Sequence, residues 1–288
     1  MDKDTCKRKA WIWIYCVSFM LAGVSCTSEK IPPEGLLTQV PAELKGAQLL
    51  YHRPDGLYFT TLGQDNIRKI HPHGYYGRWA PDGHAFAYIA QNEIFWHSLK
   101  TDVSLALAKA NNVRAIAFHP DGKQIFFTDG TAIRAVEIET HQIRTVVSGP
   151  ECFEIDVAPD ASFLAATVRR RGYRVMRFSL PSGQWTDFGR GCSASVSANN
   201  EWITVNAGDH LTLTLHDSGT GKATKTIPAP AAHPLDNQKW SNHREWVAGI
   251  VEHPAQDIII QFVPDGRVWR ITDVGDADRP DLFIHFED

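Results

Sequence analysis

Arg78-Trp79-Ala80-Pro81-Asp82-Gly83, Ala117-Phe118-His119-Pro120-Asp121-Gly122 and Asp156-Val157-Ala158-Pro159-Asp160-Ala161 are one phrase written three times. Pro81, Pro120 and Pro159 are evenly spaced along the chain. Another step of the same length leads to Val196-Ser197-Ala198-Asn199-Asn200, where Asn keeps the turn chemistry without the Pro, and a slightly longer one to Lys239-Trp240-Ser241-Asn242-His243. A fixed period of this length is the mark of a repeat architecture, in which each unit buries its faces against its neighbours.

Every copy is followed by the same grammar. A β-rich run comes first (84–90, 124–128, 163–168, 202–206, 246–251), then a second (94–99, 132–138, 174–180, 211–216, 258–263), a turn, and a third (104–108, 143–147, 185–188, 223–227, 268–271). Many runs alternate apolar and polar residues, most cleanly Leu211-Thr212-Leu213-Thr214-Leu215, as half-buried strands do. Four strands per ~40 residues is the unit of a β-propeller. The residue two before the Pro position is apolar throughout (Trp79, Phe118, Val157, Val196, Trp240), which suits an inner strand packed between blades. Five units are explicit. Residues 48–70 supply three more strands without an inner one, and 282–286 supply one strand without a blade. The expected fold is therefore all-β: a six-bladed propeller of four-stranded blades, its ring closed by the C-terminal strand joining the N-terminal blade, which removes the open edge.

The repeated Trp/Phe-x-Pro-Asp-Gly phrase resembles the PD40 (WD40-like) repeats of TolB-type propellers over roughly residues 47–288. The resemblance implies the propeller class and an envelope setting. TolB-type proteins carry an additional N-terminal domain, for which the short segment ahead of residue 47 leaves no room, so the resemblance does not carry their function to this chain.

Residues 1–26 are of another kind. Lys7-Arg8-Lys9 precede an uncharged run, Trp11 to Val24, then Ser25 and Cys26. Basic patch, apolar run and small residues are the order of a secretory signal, and the run is shorter than the about 20 residues of a spanning helix. Leu21-Ala22-Gly23 ahead of Cys26 resembles a bacterial lipoprotein signal, which implies lipidation of Cys26. In that family a residue other than Asp after the Cys, here Thr27, implies sorting to an outer membrane. Val24 and Ser25 intervene, however, and Gly23 and Ser25 equally suit an ordinary signal peptidase; a retained N-terminal anchor is the remaining alternative. The expected organisation is signal peptide 1–26, tether 27–46 and propeller 47–288. Removing a segment of charge +2 from a chain of −4 leaves a body of −6, which argues against nucleic-acid binding. Two of the five cysteines, Cys152 and Cys192, remain in the folded body, without metal-type spacing.

No HExxH, GxSxG or EF-hand loop occurs. The sharpest charge cluster is Arg169-Arg170-Arg171-Gly172-Tyr173-Arg174, expected at a hairpin tip. Its Arg169, Arg170, Arg171, Tyr173 and Arg174 are the candidate partner-binding residues, and a solvated turn is the plainer reading. His71 and His73 are the closest histidine pair and the candidate metal ligands, against a reading as two solvated loop histidines. Asp273, Asp276, Asp278 and Asp281 read as a polar linker.

Together these features point to an envelope-located monomer on the periplasmic side, held to a membrane by a lipid anchor. It would act as a binding scaffold for a protein or glycan partner, without cofactor or catalysis. The alternative is a small propeller enzyme, a metal-assisted lyase or hydrolase, whose site would be a convergent set of His, Asp or Glu at one channel mouth. Cys26→Ala is expected to release the protein from membranes into the soluble fraction; unchanged fractionation would remove the lipid anchor.

Overall fold

The computed structural model describes residues 36–37, 39–230, 233–252 and 255–285. Cys26 and the rest of residues 1–26, read above as a signal, lie outside them. Six antiparallel sheets form the ring. The first blade runs, from the axis outward, Asp278–Phe283, Gln48–Arg53, Gly56–Thr61, Arg68–His71. The second, third and fourth begin at the axis with Gly74–Trp79, Ile116–Phe118 and Cys152–Val157. The sixth begins with Leu235–Trp240. Its outer strand Val268–Arg270 also takes Leu36–Leu37 as a parallel fifth strand, and Leu44 of the 3-10 turn Ala42–Leu44 is buried, so the end of the segment read as a tether packs onto the ring.

The repeated phrase is a turn at the end of each inner strand. In Ala80-Pro81-Asp82-Gly83 the Gly83 N–H donates to Ala80 O at 3.0 Å, and the His84 N–H donates to Asp82 Oδ1 at 2.9 Å. Pro fixes φ at the second position, Asp accepts from the chain two residues on, and Gly takes the left-handed fourth position (φ 69°). Ala161 (φ 58°) and Asn200 (φ 64°) take that position where Gly is absent. Gly83 has a second reason: a Cβ there would overlap the Phe283 ring of the closing strand. In the sixth blade Asn242 stands where Pro stood. Its amide binds both backbone groups of Ile284, donating to the O at 2.8 Å and accepting from the N–H at 2.7 Å. A turn residue has become a clamp on the end of the chain.

The closing strand pairs with Gln48–Arg53, as the sequence predicts, but it starts at Asp278 rather than 282. Asp278 and Asp281, read as linker, are strand residues whose carboxylates meet partners in the channel. The inner segment of the fifth blade, 192–196, is held by two isolated bridges, Cys192 to Asn206 and Val196 to Ile203. Its small residues Ser193, Ala194 and Ser195 have low β-propensity, and Thr204 Oγ1 binds the Ser193 and Ser195 carbonyls directly (2.7 and 3.3 Å).

Four inner strands carry a β-bulge. In blades two, six and one, four residues of the inner strand span three of its neighbour (Tyr75 to Arg78, Asp236 to Lys239, Asp278 to Asp281). The residue after the first of each set is left-handed: Tyr76 (φ 53°), Asn237 (51°) and Arg279 (48°); Ser193 (56°) matches them in blade five. The bulge restores to the channel a side chain that the period of two would turn away.

The deep channel ring is thereby Arg78, Ala117, Asp156, Ser195, Lys239 and Asp281, two cations against two carboxylates. Lys239 Nζ lies 3.1 Å from Asp156, and Arg78 Nη1 lies 3.8 Å from Asp281. The same side chains stitch blades together. Asp281 accepts the Trp79 N–H (2.7 Å), Asp156 accepts the Val196 N–H (2.8 Å), and Ser195 Oγ accepts the Trp240 N–H (3.0 Å) and donates to Asp156 (2.8 Å). Burial pushes the Asp281 carboxyl up and the Lys239 ammonium down, against the opposite charges facing each. Removing one member of a buried set strands the other, at about 3–5 kcal/mol. Asp281→Ala is expected to lower the unfolding free energy by about that amount in urea denaturation, with the Arg78 charge uncompensated; a loss below about 1 kcal/mol, the range of an exposed pair, would show that the ring does not hold the closing strand.

Candidate functional site

The channel has a cavity at each mouth, and the two share no lining residue. The mouth beside the Pro-type turns is a cavity of about 330 Å³. The mouth where inner strands begin is larger, about 480 Å³, and carries the reactive side chains. Its rim is one position of the repeat, four residues before Trp79 and its equivalents: Tyr75, Arg114, Phe153, Cys192, Asp236 and Asp278. The first five line the cavity, and the first blade adds Arg279.

One half of the mouth is aromatic and cationic. The Arg114 guanidinium lies 4.5 Å over the Phe153 ring and pairs with Glu151. The Tyr173 ring meets Phe153 edge-on at 5.2 Å and is half exposed. Tyr75 donates its hydroxyl to Val113 O at 2.8 Å, and burial pushes its phenol up.

The other half joins blades five and six. Cys192 Sγ is 3.6 Å from His210 Nε2 and 3.4 Å from Asp236 Oδ1. His210 Nδ1 is 3.0 Å from Glu252 Oε1, which accepts its proton. Asp236 Oδ1 also accepts from Ser193 Oγ (3.1 Å) and Asn206 Nδ2 (3.4 Å). Burial, with the Asp236 and Glu154 carboxylates, pushes the Cys192 thiol up. Burial and Glu151 push the Cys152 thiol up to about 12. A thiol facing carboxylates is the reverse of an activated nucleophile, which needs a cation or a helix N-terminus. Both cysteines are free rather than paired.

Sequence candidates are divided by this geometry. The hairpin tip lies between Phe163–Arg169 and Tyr173–Ser179, and of its five candidate residues only Tyr173 lines the mouth. Arg174 is neutralised by Asp187 through two contacts (2.6 and 2.9 Å), while Arg169, Arg170 and Arg171 project into solvent. His71 accepts the His73 N–H through Nδ1 (3.1 Å) and packs on Tyr88 and Phe95; the pair gathers no third ligand among the described residues. Cys192, His210 and Asp236 are instead the one group of three possible ligand atoms within 4.8 Å of one another among those residues. They are widely separated in the chain, so no short motif exposes them. The repeat register relates two of them, since Cys192 and Asp236 are equivalent positions of adjacent blades; His210 and Glu252 both follow the second strand of their blades but two positions out of register.

No family model and no curated protein matches the sequence. Solved structures do. TolB from Acinetobacter baumannii superposes with a TM-score of 0.68 at 18% identity, over 84% of this chain and 68% of that one. The fold is that of a TolB-like propeller. The putative TolB from Agrobacterium tumefaciens gives 0.64 at 14% identity over 81% and 90%. A chain of a nidogen/laminin complex gives 0.68 at 12% identity over 82% and 98%. At such identities the likeness is one of architecture, and the mouth residues must speak for the chemistry.

With both thiols held high, Cys152 and Cys192 of the native, metal-free protein are expected to alkylate at pH 8 more than ten times slower than a free cysteine of pKa about 8.5, and fully only after unfolding. Peptide-level mass spectrometry reads this out; rapid native labelling of either would contradict the environment described.

Proposed function

We propose that this protein is a binding propeller of the bacterial envelope, anchored through Cys26 on the periplasmic side, that receives a protein partner on the face where its inner strands begin. The observation that carries the reading is the Arg114–Phe153–Tyr173 stack at the rim of the mouth cavity. Aromatic and guanidinium groups on a rigid scaffold are the side chains that dominate binding energy at protein interfaces, because they bury a large area at small conformational cost. The exposed Arg169, Arg170 and Arg171 beside Tyr173 favour an acidic partner segment. The TolB-like fold supports an envelope setting, and the similar chain in a nidogen/laminin complex was solved within a protein–protein assembly.

A second reading, a metal-assisted lyase or hydrolase with its site at this mouth, has one observation in its favour: the convergence of Cys192, His210 and Asp236 on the same cavity.

A photo-crosslinking residue at position 173 is expected to trap a reproducible envelope protein in native cells. The same residue at position 82, on the turn face, should not, and Arg114→Ala should reduce the 173 adduct about ten-fold, the effect of losing about 1.4 kcal/mol. Equal capture on both faces, or capture of glycan alone at 173, would overturn a protein partner at the mouth.

A further inference from the structure

We propose that Cys192, His210 and Asp236 form a transition-metal site, best suited to Zn²⁺, with its open coordination position turned into the mouth cavity. The inference goes beyond the binding reading and does not depend on it.

Four observations support the site. The first is distance. Bonds of about 2.3 Å to sulfur and 2.0–2.1 Å to nitrogen or oxygen, at tetrahedral angles, set ligand atoms about 3.6 Å apart. Cys192 Sγ stands 3.6 Å from His210 Nε2 and 3.4 Å from Asp236 Oδ1. The second is orientation. A histidine ligand needs its other ring nitrogen held by an acceptor, which fixes the tautomer and aims the free lone pair at the ion. Glu252 does this at 3.0 Å, leaving Nε2 facing the thiol.

The third is charge. Among the described residues, neither Asp236 nor Glu252 has an ion-pair partner other than His210. A dication supplies the missing positive charge. The fourth is rigidity. His210 O accepts the Leu235 N–H (2.8 Å), the Glu252 N–H donates to Pro234 O (2.9 Å), and Asn206, whose backbone exchanges two hydrogen bonds with Cys192 (3.1 and 2.9 Å), donates its amide to Leu235 O (2.7 Å), so all four side chains hang from one backbone knot at the joint of blades five and six. A site built this way needs little reorganisation to bind.

The donor set selects the metal. One thiolate, one imidazole and one carboxylate suit a borderline ion such as Zn²⁺, whereas Ca²⁺ and Mg²⁺ take oxygen ligands. Three protein ligands leave a fourth place in a tetrahedral ion, for water or for a donor atom of whatever enters the mouth. All three ligands line the cavity, so that place is reachable from solvent.

The test uses the untagged protein, stripped with chelator and reloaded. Co²⁺ is expected to bind one per chain with a thiolate-to-cobalt charge-transfer band, and Zn²⁺ to displace it. Cys192→Ser should abolish the band and weaken Zn²⁺ binding more than a hundred-fold; Glu252→Gln should weaken binding roughly 10–100-fold while keeping the band. Cys152→Ser should change neither. Near-ultraviolet circular dichroism checks that each variant is folded. Absence of one-to-one binding at micromolar metal, or a band that survives in folded Cys192→Ser, would overturn the site. Neither result bears on whether a protein crosslinks at position 173.

Discussion

The ring stands on the exchange of polar groups across blade joints deep in the channel. A six-bladed ring brings six inner strands side by side without hydrogen bonding them to one another, so each joint needs another source of cohesion. At four joints a side chain of one inner strand or its turn binds the backbone or a side chain of the next: Asp281 to Trp79, Asp156 to Val196, Ser195 to Trp240, and Asn237 to Asp278. Around the third blade the device is different. Ala117 brings no polar group, and the largest apolar cluster, from Tyr76 to Phe178, closes the joints on either side. Apolar clusters cross the other joints as well, so what sets the third blade apart is that its joints have no share in the charged network of the deep ring.

That asymmetry decides where chemistry can reside. Buried charges must be matched, and the deep ring uses its two cations and two carboxylates on one another. Higher up, at the mouth, the joints around the third blade carry Arg114, Phe153 and Tyr75, an adhesive surface. The joint of blades five and six carries Cys192, Asp236, His210 and Glu252. The left-handed residues Tyr76, Ser193, Asn237 and Arg279 link the levels, since the bulge they form lets a strand send side chains into the channel at both the mouth and the deep ring. Bulky residues in that conformation are strained, by about 1–3 kcal/mol each, and their recurrence at one position marks a requirement of the ring rather than a local accident.

Most of the fold was legible in the sequence. The expected runs 124–128, 202–206 and 246–251 coincide with strands, and most others differ by one or two residues. The largest miss, the start of the closing strand at Asp278, has a physical cause: acidic residues read as linker when the cations they meet lie at the far end of the chain. The candidate site was less legible. A scan for closely spaced histidines finds His71 and His73, because spacing along the chain is the only distance a sequence offers.

The sequence by itself determined the period, the turns that end each inner strand and the clasp of the two chain ends, because these follow from local propensity and repetition. Only the tertiary structure decided which side chains meet at the mouth. Equivalent positions become neighbours when the ring closes, and whether they face the axis depends on a bulge whose left-handed residue is Tyr, Ser, Asn or Arg rather than Gly. No local composition announces that conformation; it is imposed by the joint it serves.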